Sequence, residues 1–403
     1  MTERTLKVLS PLHIGTGNEL TPVDIYPREN IIHVLDTERL VNDLMNLGVE
    51  LNEILALLKN PPGDAYIWKG YIEEFHLDPS DYSIYTLKIH GKIGRKSMQI
   101  KEFIKLNGRP YIPGSSLKGA IRTAVLYKAL KECGDARAVM RVVSKVNGDV
   151  ARDIGRSEDV LDYYMSFLSR ARIDRKRADD LLEAIVFGME PDRRSKIRYE
   201  PKRDPMKALI VRDSKPVGRK HLAVYHVEVI GNPQPIPIWV EAIEPGAATD
   251  VEIHVDTEAL RLNADYFNGL LWECLKERGE PGEVFEDFLW EAVDEFYTAV
   301  MKYETIEVQK FGRYTSQVRS FYASLEDHSG HVLRLGWGSG WLAMTIGLLL
   351  VEKGYKWENV RKKLGLGKKP GGSGFSREFP KTRRLADGMP MGWVVLEHHH
   401  HHH

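Results

Sequence analysis

Cysteine is nearly absent. Only Cys133 and Cys274 stand in the chain of 403 residues, and no close Cys/His cluster surrounds either. That argues against structural zinc and for a reducing, cytoplasmic setting. Long apolar runs are missing as well. The longest, residues 341–351, is too short to cross a bilayer, and the N-terminus carries no signal-peptide pattern, so no membrane partner is expected. Glutamine is scarce and charged residues reach 28%, a weak thermophile signature. Histidine only looks plentiful. Six of the 15 lie in the final run, where residues 396–403 read as an expression scar and hexahistidine tag. No metal-rich histidine population remains, so neither a metal nor a cofactor is expected. No Ser/His/Asp order, carboxylate metal cluster or reactive-cysteine context appears.

What is present is polarity hidden under a formal net charge of zero. Residues 241–304 hold 17 acidic against 4 basic side chains, and residues 353–384 hold 11 basic against 2 acidic. The acidic block reads either as solvated helix faces or as a face toward a basic partner subunit. The basic block interleaves with glycine, phenylalanine and tryptophan, which suits a nucleic-acid backbone.

Hydrophobic periodicity places strands at residues 5–9, 31–35, 84–89, 99–106, 208–211, 221–230, 236–242, 251–255, 332–335 and 392–395. Helices are expected at 37–58, 116–131, 257–278, 283–303 and 341–352, and residues 135–190 read as helical throughout. Strands in two groups separated by helical insertions indicate an α+β fold rather than a continuous βαβ series. The expected organisation is a core at 1–133 with a first helical insertion, a helical lobe at 134–203, remaining core strands at 204–256, and a helical C-terminal region at 257–395.

The run Ile112-Pro113-Gly114-Ser115-Ser116-Leu117-Lys118-Gly119 is the most informative motif. A strand end, a Pro-Gly turn and a serine cap lead into a helix, whose first turn presents unpaired N–H groups and partial positive charge. Ser115 or Ser116 is expected to cap. Lys118 and Arg122, four apart, are expected to share a face beside that end. The predicted ligand is an anion, phosphate above all. A second candidate cradle is Gly336-Trp337-Gly338-Ser339-Gly340, where glycines let a ligand approach the backbone and Trp337 is placed to stack on a base. It is neither a Walker nor a dinucleotide motif. The tail residues Lys381, Arg383 and Arg384 add positive charge. His13 lies in the glycine-flanked turn ending at Gly15 and Gly17; it reads as a packing or RNA-contact residue, or as a general base acting on a ribose 2′-hydroxyl. His221, His226 and His254 read as ordinary sheet residues, and Asp24 as a turn residue.

Taken together, residues 9–17, the Pro-Gly-Ser-Ser-Leu-Lys-Gly element and the late glycine-rich loop resemble the RAMP superfamily of CRISPR-associated RNA-binding proteins. The Gly336–Trp341 loop, the Phe379-Pro380-Lys381-Thr382-Arg383-Arg384 tail, and Asp204-Pro205-Met206-Lys207-Ala208-Leu209 followed by Asp213-Ser214 narrow this to a resemblance to the fifth Csm subunits of type III-A effector complexes. The resemblance implies a ferredoxin-like, RNA-recognition-type core with inserted lobes. It implies a non-catalytic subunit at the 3′ end of the crRNA that caps the filament of RAMP backbone subunits and assists crRNA maturation, with trimming left to recruited host nucleases. Implied partners are crRNA, target RNA and the other Csm subunits. In related backbone subunits an aspartate just before a Pro-Val pair supports target cleavage; here Leu20 and Thr21 precede Pro22-Val23, with Glu19 and Asp24 nearby. That departure argues against slicing. The competing reading is a RAMP-type endoribonuclease with His13 as general base.

Overall fold

The computed structural model describes residues 2–60, 67–92, 98–169, 175–191, 196–230, 237–336, 341–356 and 383–399. The chain opens with β1 (Thr2–Val8) and, after a buried turn, the exposed edge strand β2 (Gly15–Leu20). A hairpin follows, β3 (Ile25–Arg28) and β4 (Ile31–Leu35), then α1 (Thr37–Asn46), α2 (Leu51–Lys59) and α3 (Lys69–Glu74). These helices close a small core of their own around Leu40, Leu44, Ile54 and Trp68. Asp36 caps α1 by accepting from the Arg39 amide. One helix was expected over 37–58; Gly48, at φ +101°, breaks it in two.

Next come β5 (Ser83–His90), β6 (Ile100–Phe103) and a short hairpin, β7 (Lys105–Leu106) with β8 (Arg109–Pro110). The long helix α4 (Gly114–Cys133) leads into the expected helical lobe, α5 (Ala136–Ser144), α6 (Gly148–Gly155), α7 (Val160–Ser169) and α8 (Arg175–Phe187). The lobe ends, against expectation, in a β-hairpin of β9 (Met189–Pro191) and β10 (Ile197–Tyr199). The strands β11 (Leu209–Val211), β12 (Leu222–Ile230), β13 (Ile238–Ile243) and β14 (Ala248–Val255) match the periodic segments closely. The helix expected over 257–278 is two, α9 (Thr257–Leu262) and α10 (Leu270–Arg278). They part before Gly269, where a Cβ would sit 2.6 Å from the Val186 carbonyl. After α11 (Pro281–Glu307), α12 (Thr315–Leu325) and β15 (His331–Arg334) come α13 (Trp341–Glu352), β16 (Arg383–Ala386), β17 (Met389–Pro390) and β18 (Trp393–His398). The last strand runs past Val395 through Leu396, which is fully buried.

The strands form two principal sheets. One is antiparallel throughout, in the order β11-β14-β1-β18-β15; the other is mixed, β2-β6-β13-β12-β5-β4-β3, with β16 paired to β12. In β1, Leu6 and Val8 alternate inward while Lys7 faces solvent. Helices α4, α10, α11 and α13 pack together over the antiparallel sheet. A single large core cluster runs from Leu6 through α4, the lobe and α11 to Trp393. The fold is α+β, as expected.

The cysteines hold a finding that their scarcity concealed. Cys133, at the end of α4, and Cys274, in α10, are joined by a disulfide, with Cα atoms 6.1 Å apart. Their low number therefore does not mark two isolated thiols. Packing of α4 on α10 brings both to one buried point.

Candidate nucleic-acid interface

The exposed edge of β2, β6, the first turns of α4, and the end of β15 enclose a cleft of about 620 Å³, a size suited to a small ligand or a nucleotide-sized unit (roughly 300–1,000 Å³). Six predicted residues meet in it: His13, Gly15, Gly17, Ser115, Ser116 and Gly336. They come from three distant parts of the chain.

His13 is set by its neighbours. Leu12 bridges Ile243 through paired backbone hydrogen bonds of 3.1 and 2.8 Å, which turns the next side chain inward. His13 Nδ1 lies 2.6 Å from the Glu241 carbonyl oxygen. A carbonyl only accepts, so Nδ1 carries the proton. Burial, above all, pushes the imidazole pKa down to about 4, against the raising effect of that hydrogen bond, and Lys101 and Lys105 lower it further. The ring is neutral at neutral pH.

Beneath it lies Glu241, whose side chain is fully buried. Its carboxylate accepts from Lys105 Nζ at 2.6 Å, the Phe103 amide at 3.0 Å and the Tyr85 hydroxyl at 3.0 Å. This one side chain ties β6, β13 and β5 together under the cleft floor.

Two glycines are required by close approach. Gly336 sits at φ +88°, and a Cβ there would stand 2.3 Å from the His13 carbonyl oxygen, so only glycine lets the late loop touch the early one. At the start of α4, a Cβ on Gly114 would lie 2.1 Å from the Val211 carbonyl oxygen.

Several expectations need correction. Neither Ser115 nor Ser116 is the cap. Pro113 holds the N-cap position, and Asp213 Oδ1 takes the Gly114 amide at 2.8 Å; the serines, one and two positions into the helix, line the cleft instead. Lys118 and Arg122 do not face it. Helix geometry puts Ser116, Gly119 and Thr123 on one face and turns Lys118 and Arg122 to the adjoining one. Lys118 Nζ donates to the Leu209 carbonyl at 2.7 Å, and burial lowers its pKa. Arg122 pairs with Asp204 at 2.5 Å and Glu183 at 2.6 Å, its guanidinium 3.7 Å over the Phe187 ring. These two cations clamp α4 to β11 and α8. Arg383 and Arg384 lie in β16, paired to β12 rather than in the cleft, and Arg384 is half-buried with its pKa lowered by burial. Trp337, Gly338, Gly340 and Lys381 lie outside the described residues. His226 and His254 are sheet residues as expected, while His221 ends a short 3-10 turn. Asp24 Oδ2 accepts from the amide and hydroxyl of Thr21, a turn role.

The sequence reading missed Lys101, Arg334, Asn18 and Thr123, which also line the cleft. Lys101 sits 3.5 Å from Glu19, and Arg334 Nε donates to the Met391 carbonyl at 2.8 Å. Asn18, Lys101 and Arg334 offered only a position in a strand, and Thr123 only its place in α4, seven residues after Ser116. No helix among the described residues is long and apolar enough to cross a membrane, and no group of metal-ligating side chains occurs among them.

A pH dependence follows from His13. Its folded pKa lies below the ordinary imidazole value of 6.5, so the unfolded chain binds more protons between that value and about 4. The stability from keeping the ring neutral is present above the upper value and lost as pH falls toward the lower, by about 3 kcal/mol in all. Unfolding titrations of wild type and His13→Gln should differ in acid slope across that window, with the variant shallower.

The family model of the RAMP superfamily matches residues 5–343. The chain belongs to the RAMP superfamily. It is similar to CRISPR system proteins named Csm5: 34% identical over 125 residues to that of Methanocaldococcus jannaschii, covering 30% of this chain and 29% of the relative. It is 24% identical over 276 residues to that of Mycobacterium tuberculosis, covering 63% and 66%. The matches thus span less than two thirds of these curated relatives. Among solved structures, it resembles one titled as the crystal structure of T. onnurineus Csm5, at 93% identity and TM-score 0.88, covering 97% of this chain and all of that one. It also resembles a chain in a cryo-EM structure of a type III-A Csm–crRNA–target RNA ternary complex, at 92% identity and TM-score 0.86, covering 98% of this chain and all of that one. The segments that line the cleft all fall within the range matched by the family model.

Proposed function

We propose that this chain is a crRNA-binding subunit of a type III-A CRISPR effector complex, without an active site of its own. It sits at the 3′ end of the guide, caps the filament of RAMP backbone subunits, and assists crRNA maturation by recruited nucleases in the cytoplasm. Its partners are crRNA, target RNA and the other Csm subunits. The observation that carries this reading is its near identity, over almost its whole length, to a chain of a Csm–crRNA–target RNA complex. The convergence of three RAMP motifs on one cleft supports the same reading. The endoribonuclease alternative fits the geometry poorly. A buried imidazole of pKa about 4 is a weak base near neutrality, and Asp24 is spent on a turn.

Gly336→Ala tests the cleft. The new methyl group has no room against the His13 carbonyl and its backbone conformation is strained, so the loop must move. Affinity for guide RNA, read by fluorescence anisotropy at a temperature where a thermal melt shows the variant still folded, is expected to fall at least tenfold. Unchanged affinity contradicts the assignment. A metal-free cleavage assay on repeat RNA addresses the alternative: no cutting is expected, and cutting that His13→Ala abolishes would overturn the non-catalytic reading.

A further inference from the structure

Among the described residues, the cleft is not lined as a trough for phosphate charge. Among the described residues its lining carries two cations, Lys101 and Arg334, against two carboxylates, Glu19 and Glu102. Lys101 is paired with Glu19, and Glu102 lies 3.5 Å from Lys105. The remaining titratable lining groups, His13 and Tyr297, bring no charge: the imidazole is neutral, and burial raises the pKa of the Tyr297 hydroxyl. The cations expected at this spot from the sequence, Lys118 and Arg122, are engaged behind the helix. A polyanionic backbone gains little net attraction from such a surface.

What lines it instead is short and neutral. Ser115 is exposed and Ser116 half-buried, and neither hydroxyl is engaged by another described residue. Thr123 Oγ1 donates to the Gly119 carbonyl at 3.0 Å, which leaves its oxygen facing outward as an acceptor. Asn18 brings one amide that both donates and accepts; its backbone N–H is held by Thr16 Oγ1 at 3.0 Å, which fixes its position on the β2 edge. Hydroxyl and amide groups that donate and accept match a sugar hydroxyl, which does the same. A phosphate oxygen only accepts. Of the groups that a ribonucleotide offers, the 2′-hydroxyl is the one that a deoxyribonucleotide lacks.

We propose that this cleft selects ribose over deoxyribose through Ser115, Ser116 and Asn18, reading the 2′-hydroxyl rather than holding the strand by charge. The proposal rests on the RNA-binding reading above and adds the chemical feature read.

The test compares one sequence as single-stranded RNA and as its all-deoxy counterpart, bound to the full chain in wild-type and Ser115→Ala/Ser116→Ala forms. Both serines are on the surface of an intact helix, and a thermal melt confirms folding. The wild type is expected to prefer RNA at least tenfold. The double variant is expected to lose RNA affinity about tenfold, keep its DNA affinity, and so lose the preference; Asn18→Ala should move the same way by a smaller factor. Equal binding of RNA and DNA by the wild type overturns the proposal. So does a double variant that loses RNA and DNA affinity alike, the mark of a phosphate seat. A wild type that binds neither strand counts instead against the RNA-binding reading itself.

Discussion

Replacing Glu241 by alanine is expected to destabilise the fold by about 3–5 kcal/mol, the usual cost of stripping one partner from a buried ion pair. The reason is local and specific. Lys105 retains only 9% side-chain exposure and loses the carboxylate 2.6 Å from its ammonium. The Phe103 amide and the Tyr85 hydroxyl lose their acceptor in the same stroke, and each buried unsatisfied donor adds about 1–3 kcal/mol. The cavity left behind lies directly under His13, whose ring is held by the backbone of the same residue. The variant should therefore unfold earlier in denaturant and, where still folded, bind RNA weakly. Glu241→Gln keeps the volume and one acceptor, so its loss should be smaller. Chemical unfolding followed by intrinsic fluorescence measures both. An alanine variant within about 1 kcal/mol of wild type would show that Glu241 does not organise the floor.

The second large effect concerns the disulfide. Cys133 and Cys274 are 141 residues apart, and closing a loop of that size stabilises a fold by roughly 5 kcal/mol on the chain-entropy account. Cys133→Ser, or treatment with reductant, should lower the thermal midpoint substantially. RNA affinity at moderate temperature should hold, because the bond sits at the far end of α4, some five turns from Ser115. The ion pairs beside it remain: Lys128 contacts Glu132 at 2.6 Å and Glu295 at 2.7 Å. Intracellular proteins of hyperthermophiles do carry such bonds, in keeping with the charged, glutamine-poor composition. Mass spectrometry under non-reducing conditions counts the protons lost on oxidation. A fully reduced protein with an unchanged midpoint would contradict the prediction.

How legible was all this in the chain? The apolar segments gave β12 and β13 to within two residues, because both strands are buried on both faces, one facing each of two cores. Strand β14, by contrast, buries alternate residues and starts three residues before the expected segment. Strand β2 was hidden: five of its six residues are exposed, so it has no apolar alternation, and its glycines read as turn. The breaks at Gly48 and before Gly269 were invisible because they depend on a positive φ and on packing against α8. The meeting of His13, Ser115 and Gly336 was legible only as three motifs of one family, never as contacts, since the pairing is set by tertiary approach at Gly114 and Gly336. The sharpest misreading concerned charge. Lys118 and Arg122 looked like anion ligands at helical spacing. Their partners, Leu209, Glu183 and Asp204, lie 61 to 91 positions away, beyond any local pattern.

The central claim is that one cleft, bounded by β2, α4 and Gly336, holds RNA. Photo-crosslinking of the assembled Csm complex with 4-thiouridine-labelled guide, followed by peptide mapping, tests it most directly. Crosslinks are expected in peptides containing residues 13–19, 115–123 and 334–336. Crosslinks confined to other surfaces, with none in these three peptides, would contradict it.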